Sequence, residues 1–334
     1  MGRMRHKILT VTISVAALTV SVVAGVGLES AASAQAVPGR GQVALPNWVR
    51  PDAPAPAPKP KPKSGICTSA SHPKLAAKIS SGLTAALAGR KDSVVGLTAD
   101  DPAEGLSCAF HRTWHFYAAS VIKATIISAL LRKVGGPSHL TAEQRHLAYL
   151  MITQSDNDAA TDLWNDVGIT GMQAFLNAAG MRHTVLNYAW GLTEITAQDE
   201  LTLLRVIAVP GKVLSKGSRR YILRLMAEVI PSERWGVSAG APSEVTVHLK
   251  NGWLPYPAAY DWRVNSIGAF TGKNISYQIV VLTGPAASGQ SEGYGITTIQ
   301  LAAGVINRIL ARREGTKPSS VAEPEPAALS APGG

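Results

Sequence analysis

Lys123 sits where a lysine is rarely found. Val121, Ile122, Ala124, Ile126, Ile127, Ala129, Leu130 and Leu131 surround it. They make a helix apolar on nearly every side, and such a helix is buried. Lysine is almost never fully buried unless it has a partner or a task. Ser120 lies one helical turn earlier, so the two side chains share a face. A desolvated amine has a lowered pKa and can accept a proton. A serine at a helix N-terminus has main-chain N–H groups beside it that suit an oxyanion. The pair therefore offers nucleophilic acyl chemistry. A plainer reading stands beside this one, with Ser120 as a helix cap and Lys123 as a snorkelling side chain.

Two further segments carry polar groups in suggestive order. Ser155-Asp156-Asn157 falls between an amphipathic stretch at residues 147–152 and a helix at residues 159–164. Alone it reads as a helix cap, which all three residue types favour. Lys250-Asn251-Gly252 closes a strand in which Val245, Val247 and Leu249 alternate with Thr246, His248 and Lys250. Lys250 thus points away from the apolar face, and Gly252 lets another group approach the backbone closely. Alone it reads as an exposed lysine before a turn.

Taken together, in this order and these contexts, the three segments resemble the Ser-x-x-Lys, Ser-Asp-Asn and Lys-Thr-Gly signature of class A serine β-lactamases and penicillin-binding D,D-peptidases. The resemblance spans about residues 70–313. It implies that Ser120 is the nucleophile, that Lys123 takes its proton, and that Ser155 relays a proton to the leaving nitrogen. It also implies that Asn157 binds the substrate's amide side chain and that Lys250 supplies positive potential for a substrate carboxylate. The N–H groups of Ser120 and Trp253 would form the oxyanion hole. Substrates would be β-lactams, peptidoglycan-derived peptides or small esters, with no metal or cofactor.

The sequence departs from the family pattern twice. Asn251 stands where Thr or Ser is usual; its amide can still donate to a carboxylate, with a different reach. The loop that carries the family's deacylating glutamate is cut to a few residues between Leu186 and Thr193. No Glu occurs between Glu143 and Glu194. Glu194 is either a substitute or an exposed residue ahead of a Thr196–Asp199 capping box. Without such a group the acyl-enzyme should be long-lived. A rival reading follows: a catalytically impaired homologue that binds cell-wall peptides or β-lactams.

The elements that must position these residues are legible in the periodicity. Helices are expected at residues 74–88 and 121–133, with a helical block running to about residue 229. Strands are expected at 93–98, 106–113, 245–250, 263–270 and 277–282, with a hairpin turn at Thr271-Gly272-Lys273-Asn274. A last helix carries Ile296, Ile299, Ala303, Ile306 and Leu310 on one stripe. The order predicts an α+β fold: a five-stranded antiparallel sheet flanked by helices, with a helical insertion. The resemblance implies the same layout, the β-lactamase/transpeptidase-like fold.

Outside this domain, placed at residues 65–315, the composition changes. Arg3, Arg5 and Lys7 precede an apolar run at residues 8–28 and the small-residue site Ala32-Ser33-Ala34. Residues 1–34 are expected to be an export signal, or an uncleaved anchor. Residues 35–64 form a Pro/Lys-rich linker, and residues 316–334 a Pro/Ala/Ser/Gly tail. The protein is expected to be secreted or cell-wall associated, near the envelope, and monomeric. Six of the ten net positive charges lie in the first 64 residues, so the domain is only mildly basic. A nucleic-acid partner loses its main support. Cys67 and Cys108 are either a disulfide or two buried thiols; an exported chain favours the disulfide. His111 and His115 have no further ligand pattern for a metal.

Overall fold

The structure is a computed structural model that describes residues 65–255 and 261–311. In chain order these form β1 (Cys67–Ser69), α1 (Pro73–Ala88), β2 (Ser93–Asp101), β3 (Leu106–Phe110), β4 (His115–Tyr117), α2 (Ile122–Val134), α3 (Ala142–Thr153) and α4 (Asn157–Ala179). There follow β5 (Glu194–Thr196), α5 (Ala197–Ala208), α6 (Lys216–Ala227), β6 (Thr246–Leu254), β7 (Arg263–Gly272), β8 (Ile275–Pro285) and α7 (Glu292–Ala311). The expected export signal, linker and tail lie outside the described residues. Among the described residues no helix is long and apolar enough to cross a membrane.

The main sheet is antiparallel, in the order β1-β3-β2-β8-β7-β6. Successive strand residues face opposite sides, and both sides are covered. On one side Ile279 and Val281 of β8 pack with Leu97 of β2, Ile79 and Leu83 of α1, and Ile299 and Ile306 of α7. On the other, Val280 and Leu282 pack with Ile267 of β7, Ile126 and Ile127 of α2, and Leu203 and Ile207 of α5. Each fully buried aliphatic side chain contributes roughly 1.5–3 kcal/mol relative to exposure. Covering both sides holds β6, the edge strand that carries Lys250, against the helical half.

The sheet has six strands rather than five. The added strand, β1, has only three residues, too few to show a period, and it pairs Cys67 opposite Cys108 of β3. These two cysteines are disulfide-bonded. The block read as continuous helix is also interrupted. Residues 194–196 form β5 and pair with β4 in a two-stranded ribbon, His115 opposite Thr196 and Tyr117 opposite Glu194. Elsewhere the residues explain the boundaries. Gly135 ends α2 in the left-handed conformation at φ 85°. Thr141 and Gln144 close a reciprocal capping box on α3. Lys273 and Asn274 turn β7 into β8, Asn274 at φ 61°.

Candidate active site

Ser120 lies in a single 3₁₀ turn, Ala119–Val121, that leads into α2. The preceding residue, Ala119, has φ 48°, and Ser155 has φ 56°. Non-glycine residues in this region carry strain, which proteins hold mainly at functional sites. β6 crosses directly over the turn. A Cβ on Gly252 would come within 2.7 Å of both the Ser120 and Val121 nitrogens. Only glycine allows the strand to lie so close, and Trp253 follows it on the same edge.

Lys123 is fully buried on α2. Its Nζ donates to the Ser155 carbonyl at 2.6 Å and to Asn157 Oδ1 at 2.7 Å, with Ser155 Oγ at 3.4 Å. Its ammonium also sits 4.9 Å from the centre of the Trp190 ring. Lys250 is 1% exposed. Its Nζ donates to Ser155 Oγ and to the Asn251 carbonyl, both at 2.8 Å. The strand face that carries Lys250 is therefore not solvent-facing. His248 Nδ1 on the same face donates to the Leu223 carbonyl of α6 at 2.7 Å, so that helix covers it. Burial first, and repulsion from Lys250 second, pull Lys123 down to about 7. Burial pulls Lys250 down to about 8, against the opposing charge of Glu233.

Ser155-Asp156-Asn157 fulfils both of its readings, on different residues. Asp156 caps α4, accepting the Ala159 N–H at 2.8 Å. Ser155 and Asn157 on either side of it meet the two lysines. Asn157 is exposed in the cleft, and its oxygen is taken by Lys123, which leaves its NH₂ for a bound molecule.

Asn251 faces elsewhere. It is 1% exposed; its Nδ2 donates to the Glu233 and Trp235 carbonyls at 2.7 and 2.9 Å. Its Oδ1 accepts the Ser266 hydroxyl at 2.6 Å. Both amide hydrogens are thus spent on the protein's own backbone. The expectation that Asn251 donates to a substrate carboxylate is corrected: it fixes the 233–235 turn instead.

The cleft of about 390 Å³ is lined by Ser120, Ser155, Asn157, Trp190, Trp253 and Glu233, among others. Glu194 is not among the lining residues. Its N–H and C=O are both bonded to Val185 at 2.9 Å, and it sits in the β4–β5 ribbon. Thr196 does cap α5 through the Asp199 N–H at 3.1 Å. Asp199 does not return the bond; its carboxylate accepts from the His183 N–H and the Thr184 hydroxyl, both at 2.8 Å. Trp190 and Glu233 are among the lining residues that went unread in the sequence. Trp190 belongs to the segment that replaces the loop glutamate, and its indole donates to Thr161 Oγ1 at 3.1 Å. Glu233 ends a short 3₁₀ turn, Pro231–Glu233, that looks like any surface loop. Among the described residues no group of three or more His, Cys, Asp or Glu could hold a metal.

The model of the beta-lactamase enzyme family matches residues 135–309, more than half of the chain. The chain belongs to the beta-lactamase enzyme family. The match begins beyond Ser120 and Lys123, so those two rest on geometry rather than on the family model. Among solved structures, a class A beta-lactamase from Bacteroides cellulosilyticus DSM 14838 superposes with a TM-score of 0.61 at 17% identity, over 70% of this chain and 97% of that one. A beta-lactamase from Desulfarculus baarsii DSM 2075 gives 0.58 at 18%, over 70% and 97%. PBP-A gives 0.59 at 19%, over 70% and 95%; a PBP-A variant superposes at 0.60 with 19% identity, over 70% and 96%, in an acyl-enzyme complex with penicillin G. At these identities the likeness speaks for the fold. No curated protein matches the chain. As a member of this family the protein has a β-lactamase-like serine hydrolase framework, with a tryptophan over the buried lysine and a glutamate lining the cleft.

Proposed function

We propose that the protein is an exported serine acyl-transfer enzyme that acylates Ser120 with an amide, β-lactam or ester carbonyl. Lys123, neutral near pH 7, takes the Ser120 hydroxyl proton as Oγ attacks the carbonyl carbon. The N–H groups of Ser120 and Trp253 hold the resulting oxyanion. The C–N bond then breaks, and the leaving nitrogen receives a proton from Ser155, which draws on Lys250. Hydrolysis or transfer to an amine releases the acyl group. The observation that carries this reading is the buried amine of Lys123 one turn from Ser120, in a site where Lys250 reaches the same Ser155. The penicillin G acyl-enzyme of the PBP-A variant supports β-lactams as one acyl donor class. The disulfide agrees with an oxidising compartment. Labelling with a fluorescent penicillin and with an uncharged activated ester, read by intact mass on wild type and Ser120→Ala, tests the assignment.

One observation favours a binding-only reading. Ser120 Oγ has no hydrogen bond to Lys123, whose amine points to Ser155 and Asn157. A binding module would hold ligand equally well after Ser120→Ala and turn over no nitrocefin or p-nitrophenyl ester.

A further inference from the structure

α6 carries its cations where a helix by itself would not keep them. Lys216, Arg220 and Arg224 stand four residues apart on one ridge, and Arg219 lies beside it. Like charges at this spacing repel and weaken a helix. Lys216 opens the first turn, which holds no acidic residue, so it also faces the positive end of the helix dipole. From residue 201 to residue 227 there are six Lys or Arg residues and no Asp or Glu. Neighbouring elements add to the ridge. Arg132 at the end of α2 donates to the Val213 carbonyl at 3.2 Å, next to Lys212. Arg145 of α3 donates to the Pro137 carbonyl at 3.1 Å, and a Cβ on Gly217 of α6 would touch the Pro137 ring at 3.7 Å. Arg224 also lies 5.3 Å over the Tyr221 ring.

Acidic residues do not balance this surface. Glu228 pairs with Arg224 at 3.1 Å, and Asp166 with Lys133 at 3.6 Å. Glu143 is two residues from Arg145 and so lies on the other side of α3. Among the described residues Arg132, Arg145, Lys212, Lys216, Arg219 and Arg220 have no ion pair. These six outnumber the remaining four of the ten net positive charges, which is all that the chain carries beyond residue 64. The domain is mildly basic in sum and strongly basic on one surface. None of the six lines the cleft. A surface polarised in this way attracts a polyanion. Cations four residues apart lie about 6 Å apart along a helix axis, which fits a string of charges better than one compact anion. Four of the six are arginines, whose planar fork matches phosphate oxygens. Among the described residues the ridge has no open aromatic ring on which bases would stack, since Arg224 sits over Tyr221, and no exposed large apolar side chain to enter a membrane.

We propose that the α6 ridge, with Arg132 and Arg145 at its sides, binds a linear phosphodiester polymer. The polymer's phosphates supply the negative charge that the ridge lacks, and release of their counterions drives the binding, which therefore weakens with salt. The surface is separate from the cleft and does not rest on the acylation of Ser120. Bound there, the protein is held on an anionic polymer while its cleft stays open to substrate.

The test uses the full chain and a fluorescein-labelled poly(glycerol phosphate), read by anisotropy. Wild type should bind, and binding should weaken at least about tenfold between about 50 and 200 mM salt. Lys216→Gln combined with Arg220→Gln should weaken it at least about tenfold at the lower salt. Lys74→Gln combined with Lys78→Gln, the same charge change at exposed positions of α1, should weaken it less than about twofold. The Tm of the ridge variant should match or exceed that of wild type, because like charges have been removed. Lysine acetylation read by mass tests the surface without any substitution: bound polymer should protect Lys212 and Lys216 and leave Lys74 and Lys78 reactive. No binding by wild type overturns the proposal. So does equal weakening in the two variants, or protection confined to Lys59, Lys61 and Lys63 of the linker. Tighter binding to polyglutamate, to anionic vesicles or to a single-stranded oligonucleotide would assign the ridge to that partner and overturn the proposal as stated.

Discussion

Lys123 and Lys250 converge on Ser155, one donating to its carbonyl at 2.6 Å and the other to its hydroxyl at 2.8 Å. Two buried amines that share one polar residue cannot both hold a proton cheaply, so they titrate as a pair. Their arrangement links the three sequence segments through a single hydrogen-bonded centre.

The pair sets the pH dependence of acylation. Lys123 must be neutral to accept a proton, so the rate should rise with pH through about 7. Lys250 must stay charged, so the rate should fall as pH passes about 8. A stopped-flow profile of adduct formation should give a narrow bell between these values. Lys123→Ala should remove the acid limb and lower the rate by roughly 10²–10⁴-fold. A flat profile from pH 6 to 9 would contradict the assignment.

Gly252 provides a steric test. A methyl group there would strike the Ser120 and Val121 nitrogens at 2.7 Å. Both are backbone atoms, so β6 would have to move away from the nucleophile turn. Gly252→Ala should lower acylation about 10²-fold, because misplaced oxyanion donors lose most of their effect. Circular dichroism should show the fold retained. Wild-type acylation rates in this variant would mean that β6 does not form the oxyanion site.

Glu200 reports on the fold rather than on the chemistry. It is fully buried on α5 with neither carboxylate oxygen hydrogen-bonded among the described residues. Burial first, and Asp199 second, push it up to about 8 from 4.5. Folding therefore favours the protonated form. Its contribution is fully present below about 4.5 and is lost as pH rises toward 8. Glu200→Gln removes this titration. The variant's Tm relative to wild type should increase from pH 5 to pH 8, by several degrees. An offset that does not change with pH would refute the shift.

The disulfide ties β1 to β3 at the sheet edge opposite β6. Replacing both cysteines by Ala should cost about 3–4 kcal/mol in denaturant unfolding. The acylation rate below the unfolding transition should stay within about twofold, since additivity holds for distant sites. A large loss of rate in a folded variant would show that this edge is coupled to the cleft.

Much of this was legible in the sequence, for identifiable reasons. Lys123 stood out because a single charge interrupts an otherwise apolar helix, and that contrast survives without any tertiary information. The alternation in β6 correctly set Lys250 apart from Leu249. It could not say that α6 and the 155–157 segment cover the Lys250 face. Asn251 was misread for the same reason: its partners, Ser266 and the 233–235 turn, come from other strands and loops. β1 and β5, three residues each, are too short to carry a period. Glu233 gave no local sign at all, because its place in the cleft lining is fixed through Asn251, distant in sequence and joined to it only by the fold.

The central claim is tested most directly by intact-mass analysis after exposure to a fluorescent penicillin and, separately, to an uncharged activated ester. The account predicts a single acyl addition on wild type, mapped to the Ser120 peptide, and none on Ser120→Ala. No adduct with either reagent, or equal labelling of Ser120→Ala, would contradict it.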